Sequence, residues 1–213
     1  MKQKFKIIII GEIATGKTSL INRYCMNTFQ TQYLATIGAS FLEKEIKIDD
    51  KEITFQFWDT AGAEKFRTLT KLFYKGSSCC LVLYDITLRR TFDKVEAWTH
   101  EFRESSNQIN HILLIVGNKI DLENQRVVLT KEGEELAKKC NAHFFEISVK
   151  DDPDSLNKMF NIVGKDLIEL KRRELQSNNL INNETVRKEV KTISLSKSPP
   201  NNPSKINSKS CCC

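Results

Sequence analysis

The chain has 213 residues, 40% hydrophobic and 28% charged, which suits one globular domain with a core large enough to need no disulfides. Its net charge of +6 gathers at one end: residues 175–213 carry six Lys or Arg against two Glu, and the first 174 residues carry 27 basic against 25 acidic side chains. That distribution argues against a basic nucleic-acid platform on the folded body, where cations and aromatics would interleave, and no apolar run is long enough to span a bilayer. The apolar run Ile7 to Ile10 is too short for a secretory h-region, so an intracellular protein is expected. Cys25, Cys79, Cys80 and Cys140 fall inside helix or strand patterns and read as small core residues.

Lys4 to Ile10 is a continuous β-branched run, predicted as a buried strand of a parallel sheet. It is followed at once by Gly11 to Thr18, GEIATGKT, which fills the pattern G-x-x-x-x-G-K-[ST] of a phosphate-binding loop. Gly11 and Gly16 permit the tight turns that aim successive N–H groups at phosphate oxygens. Lys17 offers a point charge, Thr18 a hydroxyl for a magnesium ion, and the helix predicted over Thr18 to Asn27 its positive end.

Phe29 to Ser40 reads as a loop. Phe41 to Ile48 and Ile53 to Trp58 alternate and are joined by Asp49, Asp50 and Lys51, which predicts an antiparallel hairpin. Asp59 to Glu64 breaks the second strand, and the segment to Ser78 reads as polar and irregular. Cys79 to Tyr84 is predicted as a strand, Thr91 to Ser105 as a helix, His111 to Val116 as a buried strand ended by Gly117 and Asn118, Thr130 to Cys140 as a helix capped by Thr130, and Phe144 to Ile147 as the last strand. The final helix starts at Asp152, an N-cap, with Pro153 at its first position and Leu156, Met159, Phe160, Val163, Leu167 and Leu170 at helical spacing. From Leu175 the chain has no Gly and no aromatic residue but three of its four prolines, a composition that reads as a disordered tail.

Strands and helices alternating at this spacing predict βαβ units and a mostly parallel sheet. Ligands of such sheets bind beyond the carboxyl ends of the strands. That rule brings Gly11 to Thr18, Asp59 to Gly62, Asn118 to Asp121 and Ser148 to Lys150 to one edge. In Asn118-Lys119-Ile120-Asp121 the Asp carboxylate is suited to accept two hydrogen bonds from the N1–H and 2-amino group of guanine, which adenine does not present.

With these motifs in register, the chain resembles the Ras-like small GTPases and, within them, the Rab family. The resemblance covers about residues 4–174 and is carried by GEIATGKT at 11–18, TIG at 36–38, WDTAG at 58–62, NKID at 118–121 and SVK at 148–150. IGASF at 37–41, FYKGS at 73–77 and LVLYDIT at 81–87 are Rab-like, and IGASF is most similar to the endocytic branch.

The resemblance implies a P-loop NTPase fold of α/β class, with a six-stranded mostly parallel sheet and helices on both faces, over a domain of residues 1–174 with a tail of 175–213. It implies a switch that binds GTP or GDP with Mg2+. Gly11, Ile13, Ala14, Thr15, Gly16, Lys17, Thr18 and Ser19 would surround the phosphates. Thr18 and Thr36 would ligate the metal, with Asp59 acting through a water. Phe29 would lie against the guanine, Tyr33 would close over the phosphates, and Asn118, Lys119, Asp121, Ser148, Val149 and Lys150 would form the base pocket. Thr36, Gly62 and Ala63 would stand around the reacting phosphate.

Three positions depart from the family pattern. Ala63 replaces the glutamine that orients the attacking water, and each tenfold loss of rate corresponds to about 1.4 kcal/mol of barrier. Ile13 replaces a Gly or Ser and brings a branched side chain towards the terminal phosphate. Val149 replaces an alanine beside the guanine oxygen, where its bulk is expected to loosen the base. The expectation is therefore slow hydrolysis; the alternatives are a GTP-holding scaffold, ordinary cycling by local compensation, and a P-loop kinase or ATPase, which NKID disfavours. Cys211, Cys212 and Cys213 match Rab endings that carry two geranylgeranyl groups, and two chains anchor where one is marginal. The implied partners are an exchange factor, a GTPase-activating protein, a GDP dissociation inhibitor, effectors at the switch regions around Thr36 and Gly62, and the cytoplasmic face of endosomal or other vesicular membranes; a monomer without nucleic acid is expected.

Overall fold

The computed structural model describes residues 2–30, 36, 39–60, 67–106 and 110–195, with side chains at all of these except 67–70 and 178–195. The strands are β1 (Gln3–Gly11), β2 (Ala39–Ile48), β3 (Lys51–Thr60), β4 (Cys79–Asp85), β5 (Ile112–Asn118) and β6 (His143–Ile147), in one sheet of order β2-β3-β1-β4-β5-β6. The hairpin β2–β3 is antiparallel, and every other neighbouring pair is parallel. The chain leaves β1 for strands on one side and returns at β4 on the other, so a topological switch point lies at the end of β1, where α/β sheets hold ligands.

Successive side chains of a strand face opposite sides of the sheet, and the burial follows. Ile7, Ile9, Phe55, Phe57, Leu81, Leu83, Leu114 and Val116 line one face. Against it pack Leu20, Ile21 and Tyr24 of α1 (Lys17–Met26) and Leu156, Met159, Phe160, Val163 and Leu167 of α6 (Pro153–Leu195). Ile8, Ile10, Cys80, Val82, Tyr84, Leu113 and Ile115 line the other face. That side is covered from α2 (Arg67–Tyr74) by Tyr74, from α3 (Arg89–Asp93) by Phe92, from α4 (Val95–Ser105) by Val95, Trp98 and Phe102, and from α5 (Thr130–Lys139) by Ala137. Each such fully buried aliphatic or aromatic side chain contributes about 1.5–3 kcal/mol relative to exposure. The expected six-stranded, two-faced architecture is the one observed, and Cys79, Cys80 and Cys140 are buried free thiols within it.

Several local expectations are corrected. The segment after the hairpin contains α2, which lays Tyr74 into the core and Phe73 on Trp58 while Leu72 stays exposed; this split of neighbouring large residues hid the helical period. The helix expected over Thr91 to Ser105 is two, α3 and α4, meeting at Lys94. Thr130 is not the cap of α5: Leu129 holds that position, its N–H donating to Glu132 Oε2 at 2.9 Å, and the Thr130 hydroxyl donates to Glu146. Asp152 does cap α6, accepting from the Ser155 N–H at 3.0 Å. Helix α6 runs on past residue 174 to Leu195. From Leu175 to Leu195 there is neither Pro nor Gly to break it. The chain divides into two units, Met1–Leu170 and Lys171–Cys213. Among the described residues no helix is long and apolar enough to cross a membrane.

Candidate functional site

The loop after β1 turns on two glycines whose side-chain space is already taken. Gly11 has φ +134°, and a Cβ there would lie 2.3 Å from the Leu83 carbonyl oxygen of β4. Gly16 has φ +99°, and its Cβ would meet the Asn118 side-chain nitrogen at 2.4 Å. Ala14, between them, also takes a left-handed φ of 63°. Such conformations cost roughly 1–2 kcal/mol at a residue with a Cβ, so the loop is held rather than relaxed. Its holders include the Thr15 hydroxyl, which donates to the Glu12 carbonyl at 3.0 Å. Lys17 is buried, and its Nζ donates to the Gly11 and Glu12 carbonyls at 2.9 and 2.8 Å. Burial lowers its ammonium to about 8, against the opposing pull of Asp59 and Glu12. Ile13 lies at the exposed rim, and Ser19 sits in the first turns of α1.

Thr18, Thr36 and Asp59 converge although they come from a helix, a loop and a strand. The Thr18 hydroxyl lies 2.7 Å from that of Thr36 and donates to Asp59 Oδ2 at 2.6 Å. Asp59 is only 1% exposed, and its Oδ1 has no hydrogen-bond partner among the described residues. Burial raises its carboxyl above the usual range, countered by Thr18, Lys17 and Ser40, its partner across the hairpin. Two hydroxyls and a buried carboxylate oxygen left without a donor form an all-oxygen set of the kind that suits a hard divalent cation such as Mg2+.

Asn118 clasps three loops. Its Nδ2 donates to the Thr15 carbonyl at 2.8 Å, and its Oδ1 accepts from the N–H of Lys119 at 2.7 Å and of Val149 at 3.2 Å. Asp121 accepts at 2.7 Å from the hydroxyl of Ser148, which in turn accepts from the Asp151 N–H. The expected base-pocket residues are thus brought together at the ends of β5 and β6. Val149 is 2% exposed and its side chain is part of the core cluster, while its N–H donates to Asn118. Tyr33, Gly62, Ala63 and Cys211 to Cys213 lie outside the described residues.

Three contributors went unforeseen. Arg23 of α1 donates to the carbonyls of Val149 and Lys150 at 3.1 and 2.8 Å and lies over the Phe29 ring at 5.4 Å, binding the expected guanine-facing aromatic to the pocket loop. Glu12 accepts from the Trp98 indole N–H at 3.1 Å, tying the phosphate loop to α4. Asp85, at the end of β4, pairs with Lys119 at 2.6 Å. A carboxylate closing an apolar strand at the ligand edge was a readable signal for Asp85; Arg23 acts across more than 120 positions and had none.

A strained phosphate loop, with Thr18, Thr36 and Asp59 converging beside it and Asn118, Asp121 and Ser148 linked at the same edge of a doubly covered, mostly parallel sheet, is the arrangement of a P-loop nucleotide-binding protein. A family model described as Ras family matches residues 6–169. The chain is 41% identical over 173 residues to a Ras-related protein Rab-7a of Dictyostelium discoideum, covering 79% of this chain and 85% of that one. It is 43% identical over 154 residues to a Ras-related protein Rab-7b of Paramecium octaurelia, covering 70% and 75%, and 43% over 153 residues to a Ras-related protein Rab7 of Glycine max, covering 69% and 74%. The chain belongs to the Ras family, as a Rab small GTPase of the Rab7-like, endocytic kind.

Proposed function

We propose that this protein is a guanine-nucleotide switch in vesicle traffic that binds GTP or GDP with Mg2+, recruits effectors through its switch regions when GTP-bound, and hydrolyses GTP slowly on its own. The observation that carries the reading is the convergence of Thr18, Thr36 and Asp59, whose Oδ1 has no hydrogen-bond partner among the described residues, close to Lys17 on a loop clasped by Asn118. Lys17 supplies the positive charge for the terminal phosphates, Asn118 and Ser148 hold the loops, and Asp121 reads the guanine edge. Thr18, Thr36 and Asp59 hold the magnesium ion, which when bound supplies charge neutralisation at the phosphate oxygens. Gly62 senses the terminal phosphate and Tyr33 covers it.

Slow turnover rests on Ala63, which has no amide to orient the attacking water, and on Ile13 at the rim of the phosphate loop. A second reading, a GTP-holding binding module that scarcely hydrolyses, is favoured by the same Ala63. The G domain spans residues 1–174 and the tail 175–213; two of Cys211, Cys212 and Cys213 carry geranylgeranyl groups, and the tail's lysines add attraction to anionic lipid. The protein works as a monomer on the cytoplasmic face of endosomal membranes, with an exchange factor, an activating protein and a dissociation inhibitor completing the cycle.

The deciding experiment is single-turnover phosphate release from GTP-loaded protein, with and without an activating protein of the Rab type. Slow release that the activator accelerates supports a switch, and slow release unmoved by it supports the binding module. Rapid unaided release contradicts slow turnover, and a preference for ATP contradicts the guanine reading.

A further inference from the structure

Asp85 closes β4 directly beside Asn118, its register partner at the end of β5. It is 1% exposed; its Oδ1 is hydrogen-bonded, while its Oδ2 stands in an ion pair without accepting a hydrogen bond among the described residues. Oδ1 accepts from the N–H and the hydroxyl of Thr87 at 2.8 and 2.7 Å, and Oδ2 meets the Lys119 ammonium at 2.6 Å. A carboxylate withdrawn from water this far needs a cation, and Lys119 is its ion-pair partner. Lys119 is itself held from the other end. Its backbone has a left-handed φ of 73°, its N–H donates to Asn118 Oδ1, and its carbonyl accepts from Leu122 at 2.9 Å. The exits of β4 and β5 are further joined by the Ile86 N–H donating to the Asn118 carbonyl at 3.1 Å. The lysine is therefore fixed at its Cα and at its Nζ, and the methylene stem between has little freedom left.

We propose that Asp85 is a positioning residue of the guanine pocket: it pins the Lys119 ammonium so that the lysine's methylene stem stands as a preformed apolar wall for the flat face of the base. This rests on the guanine reading above and deepens it. A long, rotamer-rich side chain that must be ordered on binding weakens affinity, and one ordered beforehand does not. Because the stem meets the ring face, not its edge, Asp85 governs how long a purine nucleotide stays and leaves the choice between 2-amino and 2-H purines to Asp121.

The test follows release of a fluorescent GDP analogue from the full-length protein into excess unlabelled nucleotide. Asp85→Asn keeps an oxygen for Thr87 and removes the charge; it and Lys119→Ala are each expected to speed release about tenfold, a change of about 1.4 kcal/mol. The double variant should release no faster than Lys119→Ala alone. Release from Asp85→Asn at the wild-type rate, or a double variant as fast as the product of the two single effects, overturns the proposal. Thr87→Val, which loosens only the turn at Asp85 Oδ1, should leave release unchanged; if it matches Asp85→Asn, the aspartate serves the turn and the proposal fails. Lys119→Met keeps the stem and loses the ammonium, so it decides the matter even where Asp85→Asn does not fold: release about tenfold faster supports pinning, and wild-type release refutes it. With inosine diphosphate, Asp85→Asn should accelerate release by the same factor as with GDP, and a GDP-selective effect counts against a ring-face role. If neither Lys119→Ala nor Asp121→Asn alters GDP release, the guanine reading itself has failed, which is a different outcome from inertness of Asp85→Asn alone.

Discussion

The Asn118 side chain donates to the Thr15 carbonyl at 2.8 Å, joining the end of β5 to the phosphate loop across 103 positions of sequence. The same amide accepts from the N–H groups of Lys119 and Val149, so one side chain sets the spacing of the three loops that would surround a nucleotide. The clasp is buried, and each of its bonds left unmade strands a polar group away from water.

Asn118→Ala removes all three bonds at once. Stranding buried donors and an acceptor costs about 1–3 kcal/mol apiece before relaxation. We expect a clear fall in melting temperature and GDP release accelerated by about a hundredfold or more. Thermal unfolding and nucleotide release measured on the same preparation check this, and wild-type release would show that the clasp does not set the pocket.

Ala63→Gln supplies the side-chain amide that the family resemblance places at this position to orient water. Intrinsic hydrolysis should rise at least about tenfold, about 1.4 kcal/mol off the barrier. A rise seen only when Ile13→Gly is added would assign the greater obstacle to Ile13. Single-turnover phosphate release separates the two.

Tyr84 is fully buried with a hydroxyl that has no hydrogen-bond partner among the described residues, in a gap left by Gly117 and Gly133. Tyr84→Phe removes a polar group whose desolvation is uncompensated, so stability should stay level or rise by up to about 1 kcal/mol. Chemical denaturation reads the sign, and a loss above that size would reveal a partner for the hydroxyl.

Burial pushes the Cys25 thiol up to about 11, with Lys44 partly opposing. The thiolate is the reacting species, so alkylation of Cys25 in the folded protein should be negligible at neutral pH and rise about tenfold per pH unit towards that value. Because the folded value lies above that of the unfolded thiol, about 8.5, this group's contribution to stability is full below that pH and is lost as pH rises towards 11. Peptide mapping after brief alkylation across a pH series, with the denatured chain as the reference, checks it.

What the sequence determined by itself was everything written in local chemistry. Ile7 to Ile10 running into GEIATGKT defined a buried strand and a phosphate loop, because strand burial and loop curvature are set by neighbouring residues. Alternating strands and helices defined the parallel sheet, and the rule that ligands sit beyond strand ends collected Thr18, Asp59, Asn118 and Ser148 at one edge. The tertiary structure decided what that edge does with them. It brought Asp59 against the Thr18 hydroxyl with Oδ1 left without a hydrogen-bond partner among the described residues, made Asn118 a clasp, packed the Val149 side chain in the core, and set Asp85 against Lys119 and Arg23 over Phe29. These pairings depend on register between strands and on the angle at which a helix crosses the sheet. Both are fixed only when the whole core packs, and no short stretch of residues encodes them.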